Sequence, residues 1–173
     1  MKLAIVINGC GGVGKDTLCR IAEKGYRVKN ISSVTPIKEL ARICGWQGEK
    51  TDRARKFLAD LKQLTADFID YPTNWLRVQY EEFLASDDEI LFVHIREPKE
   101  IEKFVRVTGG KAKTLLIRGG ARMACKAGHY GNSADDDVEN FEYDFYFNND
   151  QPLDKVEPLF LAALAGIVDA SKS

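Results

Sequence analysis

The sequence predicts an α/β protein in which a mainly parallel sheet is covered by helices on both faces. Short, apolar, β-branched segments alternate with longer segments of helical periodicity, the order that produces β-α-β units. The apolar segments are continuous, which is typical of strands buried on both faces. A long helical stretch, residues 35–86, separates two of the strands and predicts an excursion from the sheet. The length of 173 residues suits a single domain spanning 1–173.

Five strands are expected from apolar or aromatic runs that end at turn-forming or charged residues. They are Leu3–Asn8, 27–32, 89–95, 114–117 and 143–147. Helical periodicity and capping residues predict helices over 16–24, 36–44, 52–69, 73–85, 98–107 and 153–170.

Two further segments bear on function. In the helix predicted over 52–69, Phe57, Leu61, Leu64 and Phe68 step by four, three and four residues and form one apolar stripe. Residues 118–134 are rich in Gly, Arg and Ala with no clear period, so we interpret them as a mobile candidate lid.

Composition narrows the class of protein. Apolar residues make up 45% and charged residues 29%, as in an ordinary globular chain, and the net charge of −1 gives no overall field for a nucleic acid polymer. No stretch reaches the ~20 apolar residues that a membrane helix requires. The four cysteines (10, 19, 44 and 125) show neither C-x-x-C nor metal-ligand spacing, so we expect reduced thiols and a cytoplasmic protein.

The stretch "NGCGGVGKDT" carries the main functional signal. Gly9, Gly14 and Lys15 satisfy G-x-x-x-x-G-K, although Asp16 stands where the usual pattern has Ser or Thr. The match lies between a buried strand and a helix, where backbone N–H groups and the helix N-terminus can surround a phosphate. The alternative is a tight glycine turn with Lys15 in solvent.

The loop therefore predicts a nucleotide site in which Lys15 reaches the β- and γ-phosphates. A carboxylate in a phosphate cradle repels phosphate unless a cation intervenes, so Asp16 is the candidate Mg²⁺ ligand, with first-turn stabilisation of the helix as the alternative. Thr17 is a candidate donor to the α-phosphate. The proposed ATP-binding residues of the loop are Gly9, Gly11, Gly12, Val13, Gly14, Lys15, Asp16 and Thr17.

Beyond the loop, the chain resembles the P-loop small-molecule kinases, especially (deoxy)nucleoside monophosphate kinases and, more distantly, phosphomevalonate and dephospho-CoA kinases. The likeness rests on "GKDT", "SVTPIKELARICGWQGEKTDRARKFLADL" (33–61), "LFVHIREPKEIEKF" (91–104) and "NSADDDVENFEYDFYFNNDQPLDKV" (132–156). It implies the P-loop NTPase fold, a three-layer α/β/α sandwich, in which 35–86 binds the acceptor and 118–134 forms the lid.

The resemblance also implies roles for cationic side chains. It implies that Lys38, Arg55 and Arg96 bind the acceptor phosphate and that Arg118 and Arg122 belong to the lid. The catalytic candidates are Lys15, Arg96, Arg118 and Arg122. Phosphoryl transfer depends on positioning and charge neutralisation, so convergent Arg and Lys groups are expected. For each residue taken alone, the alternative is a solvated surface cation.

Three further residues bear on ligand binding. Trp75 lies in the excursion and could stack on an acceptor base, with core packing as the alternative. Asn149 follows the last predicted strand, where its side chain could contact the edge of an adenine base. The alternative is that it is a turn residue. His94 stands where the family's strand ends in Asp-x-Arg, so either Asp16 carries the magnesium duty or activity is impaired.

The sequence thus predicts an ATP- and Mg²⁺-dependent kinase for a small phosphorylated acceptor, most plausibly an NMP or dNMP. A non-nucleotide phosphate acceptor and a catalytically impaired nucleotide-binding regulatory module are the alternatives. We expect no nucleic acid polymer and no membrane as partners, and a monomer or homodimer.

Overall fold

The computed structural model describes residues 1–119 and 138–172. Its strands are β1 (Leu3–Asn8), β2 (Val28–Ser32), β3 (Ile90–His94), β4 (Lys113–Gly119) and β5 (Phe145–Asn149). Its helices are α1 (Lys15–Ala22), α2 (Thr35–Ile43), α3 (Asp52–Ile69), α4 (Tyr71–Ala85), α5 (Pro98–Val107) and α6 (Leu153–Ala170), with a short 3-10 turn at Val138–Asn140.

The strands form one sheet in the order β2-β3-β1-β4-β5, and every neighbouring pair is parallel. Ile7 of β1 lies beside His94 of β3, and Asn8 beside Leu116 of β4. The carboxyl ends of the strands therefore lie along one edge, where open α/β sheets bind ligands.

Two apolar layers cover the sheet. On one face, Ile5 and Ile7 pack with Leu18 of α1 and Phe160 of α6. On the other face, Val6 and Val93 pack with residues of α4 and α5, including Phe83 and Phe104. Alternate residues of β1 thus enter opposite layers, as the two-fold period of a strand requires. The predicted three-layer α/β fold with a parallel sheet is confirmed.

Some predicted boundaries are wrong. The last strand covers Phe145–Asn149 and not 143–147, because Tyr143 is held by side-chain hydrogen bonds before the strand begins. The fourth strand continues through Gly119, so Arg118 lies in the sheet. The remainder of the candidate lid, including Arg122, lies outside the described residues.

Three helices occupy the predicted excursion between β2 and β3. The third helix begins at Tyr71 and not at 73, because Pro72 fits in the first turn of α4, where a missing N–H costs nothing. Ala54 is the one buried residue of α3, so the apolar stripe on this helix is not part of the core. Within residues 1–119 and 138–172, no helix has the length and apolar character needed to cross a membrane.

Candidate functional site

The loop between β1 and α1 depends on glycine at two positions for both conformation and space. Gly9 has φ +145 and Gly14 has φ +92, values that residues with a side chain rarely adopt. A Cβ on Gly9 would lie 2.5 Å from the carbonyl oxygen of Ile117, and one on Gly14 would lie 2.5 Å from Nδ2 of Asn149. The loop is therefore held tightly against β4 and β5.

Asn8 fixes the start of this loop. Its Oδ1 accepts a hydrogen bond from the N–H of Gly9 (2.8 Å), and its Nδ2 donates to the carbonyl of Arg96 (3.0 Å) and to the hydroxyl of Tyr143 (2.7 Å). Tyr143 in turn donates to the carbonyl of Val138 (2.9 Å). One buried amide thus joins the end of β1 to the end of β3. Sequence reasoning missed this residue, although a polar residue closing an apolar strand was a visible signal.

Lys15 and the first turn of α1 complete the loop. Lys15 Nζ donates to the carbonyls of Gly9 (2.5 Å) and Cys10 (3.0 Å), which places the ammonium group against the loop. Gly14 is the N-cap residue and brings no capping side chain, so the first N–H groups of α1 are left for an anion. This arrangement suits a polyphosphate.

An open cleft of about 1430 Å³ extends from this loop across the carboxyl edge of the sheet to α2, α3 and α5. Most of the predicted loop residues line it, and so do three predicted acceptor residues. These lining residues are Gly11, Gly12, Gly14, Lys15, Asp16, Thr17, Lys38, Arg55 and Arg96.

The wall facing the loop is basic. Six cations and three carboxylates of the described residues line it: Lys38, Arg55, Lys62, Arg96, Lys99 and Lys103, with Asp67, Glu97 and Glu100. Local clusters of this kind supply the positive field that the net charge of −1 does not.

Two ion pairs order the far end of this wall. Lys62 Nζ lies 2.7 Å from Glu97 Oε1, and although burial opposes ionisation, the lysine holds the pKa of Glu97 below its usual value. Lys103 Nζ donates to Asp70 (2.9 Å), and this hydrogen bond raises the pKa of Lys103. The sequence carried a signal for Glu97, which lies in the turn after β3, whereas Lys103 lies on α5.

Glu100 carries an unsatisfied atom in this wall. Its Oε1 lies 3.6 Å from Lys103, whereas its Oε2 is buried and accepts no hydrogen bond within residues 1–119 and 138–172. Buried polar atoms are nearly always hydrogen-bonded in native proteins, so an orphan acceptor lining a cleft indicates a missing donor.

His94 lies at the end of β3, next to the loop. Its Nε2 is 2.8 Å from Asn30 Oδ1, 3.8 Å from Asp16 Oδ1 and 3.8 Å from Cys19 Sγ. Burial lowers the pKa of His94, and the opposing effect of Asp16 is smaller. At neutral pH this side chain is therefore an uncharged imidazole.

The other predicted site residues occupy different places. Arg118 makes a two-pronged ion pair with Glu139 (2.8 and 3.1 Å) and stacks over Tyr146, and it does not line the cleft. Trp75, on α4, packs against the core and likewise does not line the cleft. Asn149 donates from Nδ2 to the carbonyl of Val13 (2.8 Å), so its amide holds the loop.

The cysteines near the loop are unlike one another. Cys19 and Cys44 are free, and burial together with Asp16 and Glu23 raises the pKa of the Cys19 thiol to about 12. Cys10 is disulfide-bonded, so the expectation of reduced thiols is wrong at that position.

The residues present fit a magnesium ion held mainly by nucleotide phosphates. The Asp16 carboxylate is 80% exposed at the loop, beside the Thr17 hydroxyl. Among the described residues, no group of three or more His, Cys, Asp or Glu side chains could hold a metal by itself. One carboxylate plus phosphates and water is an ordinary way to bind Mg²⁺, which retains much of its hydration shell.

Comparison with solved structures finds the same fold in several kinases. A gluconokinase from Sinorhizobium meliloti 1021 is 22% identical, with 97% of this chain and 94% of that chain covered and a TM-score of 0.51. A shikimate kinase from Bacteroides thetaiotaomicron is 19% identical, with 96% and 98% covered and a TM-score of 0.56. A tunicamycin resistance protein from Deinococcus radiodurans is 12% identical, with 95% and 96% covered and a TM-score of 0.59.

No protein-family model and no curated protein matches the sequence. At such identities, the structural likeness shows the fold and leaves the function to the site's own chemistry.

Proposed function

We propose that this chain is an ATP-dependent phosphotransferase that moves the γ-phosphoryl group of ATP to a small phosphorylated acceptor, and that this acceptor is a (deoxy)nucleoside monophosphate. The observation that carries the proposal is the cleft, which the phosphate-binding loop shares with Lys38, Arg55 and Arg96 from three other elements. ATP would use the loop amides and Lys15, and a second anion would account for the other cations. The resemblance of the sequence to P-loop small-molecule kinases and the fold of the structural neighbours support the same class of reaction.

The transfer is a direct displacement. The bond between the γ-phosphorus of ATP and its bridging oxygen breaks, ADP leaves with that oxygen, and an oxygen of the acceptor phosphate forms the new bond. A phosphate monoester with a second pKa near 6 is mostly deprotonated at neutral pH, so it needs no general base. This requirement suits a site in which His94 Nε2 serves as a hydrogen-bond donor to Asn30.

The side chains of the cleft have separate roles in this proposal. Lys15 and Arg96 neutralise charge on the phosphates during transfer, and Asp16 would hold Mg²⁺, which would supply further positive charge to the phosphates. Lys38 and Arg55 bind the acceptor phosphate. Arg118 and Arg122 remain catalytic candidates in the lid. Trp75 remains a candidate contact for the acceptor, and Asn149 a candidate contact for the nucleotide. The whole chain, 1–173, acts as one kinase domain.

The acceptor needs two chemical features in this cleft. Its phosphate matches the basic wall, and a hydroxyl or amine hydrogen would satisfy Glu100 Oε2. Nucleoside monophosphates carry both features, and so do some non-nucleotide phosphate esters, which are the alternative acceptors. The gluconokinase and shikimate kinase among the neighbours are named for unphosphorylated acceptors, so these belong in the test.

The test is ADP formation from ATP and Mg²⁺ with a panel of NMPs, dNMPs, non-nucleotide phosphate esters and unphosphorylated acceptors. We expect turnover with a phosphorylated acceptor, and a loss on the order of a hundredfold in kcat in Lys15→Ala. Glu100→Gln keeps the shape but adds a donor, so it should raise KM for the acceptor and leave KM for ATP unchanged. Unimpaired turnover in Lys15→Ala, or turnover with unphosphorylated acceptors alone, would contradict the proposal.

A regulatory module that binds nucleotide without turnover is the second candidate, and His94 is the observation that favours it. Where the resembled kinases have an acid, this neutral imidazole supplies no charge for Mg²⁺. Activity that appears only in His94→Asp, with ATP binding intact in the wild type, would support the module. Turnover by the wild type would exclude it.

A further inference from the structure

The outward side of α3 carries an apolar surface that residues 1–119 and 138–172 leave exposed. We define the α3 stripe as Phe57, Leu61, Leu64 and Phe68. Phe68 is 84% exposed, Leu64 is 68% exposed and Phe57 is 36% exposed. The side chains of α3 that line the cleft, such as Arg55 and Lys62, lie on the other half of the helix at 100° per residue. The stripe is therefore separate from the candidate active site.

The stripe borders an apolar groove of about 500 Å³. Its walls are Leu40, Leu64, Thr65, Phe68, Ile69 and Tyr71. Ile43, three residues after Leu40 on α2, is 82% exposed. Contiguous apolar surface of this kind, rimmed by charges, is typical of a protein–protein contact.

The sequence of the stripe is symmetric. It runs Phe, Leu, Leu, Phe with steps of four, three and four, so it is the same in both directions along the helix. A two-fold axis through the middle of an antiparallel pair would set Phe57 against Phe68 of the other copy, and Leu61 against Leu64. A self-complementary patch is what a two-fold interface requires.

The charges along α3 select the same orientation. Arg53, Arg55 and Lys56 outnumber Asp52 at the start of the helix, whereas Asp67 lies in the last turn, which contains no basic residue, and Asp70 follows. An antiparallel pair brings the basic end of each helix over the acidic end of the other. A parallel pair would oppose like charges.

We propose that two copies of this chain form a two-fold symmetric homodimer in which the α3 stripes pack antiparallel. The copies bury the Phe and Leu side chains and fill the groove beside Phe68. The cleft of each copy stays open, because the α3 side chains that line it, apart from Asp67, lie on the other side of the helix. This proposal does not depend on the activity of the site.

The first test is the molecular mass of the full chain in solution by sedimentation equilibrium. The wild type should have twice the monomer mass of 19.4 kDa, and the double variant Leu64→Glu/Phe68→Glu should be monomeric. Leu159→Glu is the matched control, since Leu159 is exposed to 54% on α6, far along the chain from the stripe. Circular dichroism should show native helix content in all variants.

A charge exchange tests the orientation. Arg53→Asp and Asp67→Arg should each raise the dimer dissociation constant about tenfold, equivalent to 1.4 kcal/mol. The double variant Arg53→Asp/Asp67→Arg should recover most of the loss, because the opposite charges face each other again. A monomeric wild type, a dimer that survives Leu64→Glu/Phe68→Glu, or a double exchange with no recovery would each overturn the proposal.

Discussion

The imidazole of His94 and the side-chain amide of Asn30 are joined by a contact of 2.8 Å between Nε2 and Oδ1. Since an amide oxygen only accepts, Nε2 carries a hydrogen and donates it. β2 and β3 are neighbours in the sheet, and His94 pairs with Ser32 in their register. The hydrogen bond therefore fixes the ring beside Asp16 at the mouth of the loop.

The burial of His94 predicts how stability depends on pH. Burial lowers the pKa of His94 below its ordinary value of 6.5, so the unfolded chain takes up a proton at a higher pH than the folded chain. The contribution of His94 to stability is fully present above pH 6.5, and it is lost as the pH falls from 6.5 toward the pKa of the folded state. Unfolding by urea at about pH 7.5 and about pH 5.5 should show a smaller loss for His94→Gln than for the wild type.

Other groups titrate in the same range, so the comparison of slopes is the measurement. Asn30→Ala keeps the imidazole but removes its acceptor, and it should retain a pH slope like that of the wild type. Equal slopes for wild type and His94→Gln would contradict the assignment of a lowered pKa.

The glycines of the loop predict a graded response to alanine. Gly14→Ala places a side chain at φ +92 and 2.5 Å from Asn149, so it should cost at least the ~1–2 kcal/mol of left-handed strain and weaken ADP binding. Gly12→Ala has φ +79 but open space, and Gly11→Ala has neither constraint. Thermal unfolding and calorimetric titration with ADP should rank the losses in stability and affinity as Gly14, then Gly12, then Gly11. Equal effects at Gly11 and Gly14 would contradict the close contact.

Tyr143 predicts a stability cost that reaches the loop. Its hydroxyl accepts from Asn8 and donates to the carbonyl of Val138, in a buried position. Tyr143→Phe leaves these partners unsatisfied, which should reduce the free energy of unfolding by about 1–3 kcal/mol. Tyr146→Phe is the control, because the Tyr146 hydroxyl accepts one bond at 3.2 Å on a side chain that is half exposed. Urea unfolding of the two variants checks the difference.

The sequence alone predicted the parallel sheet, the loop and most helices, because each is encoded locally by apolar runs, glycines and caps. The aromatic run "YDFYF" did not show where its strand begins, since the hydroxyl of Tyr143 forms a buried hydrogen bond with Asn8, which lies 135 residues earlier. Similarly, the stripe of α3 predicted a helix but not what it contacts.

Within the cleft, Lys38, Arg55 and Arg96 were predicted and line it, and the resemblance supplied them. Glu100 and Lys62 were missed, because their position depends on how α3 and α5 pack. Arg118 lies within β4, and its side chain pairs with Glu139, a contact that no local pattern specifies.

The Cys19 thiol should be inert, although it lies 3.8 Å from an imidazole. Burial, Asp16 and Glu23 raise its pKa to about 12 from an ordinary 9.0, which lowers the thiolate fraction near pH 8 roughly a thousandfold. A pulse of iodoacetamide followed by peptide mass spectrometry should label exposed Cys44 and leave Cys19 unmodified until urea unfolds the chain. The substitution Asp16→Asn removes one cause of the raised pKa. It should increase the labelling of Cys19 only slightly, since burial remains the largest cause. Rapid labelling of Cys19 in the folded wild type would mean that Cys19 and His94 form a thiolate–imidazolium pair. That result would contradict both the neutral thiol of Cys19 and the neutral imidazole of His94.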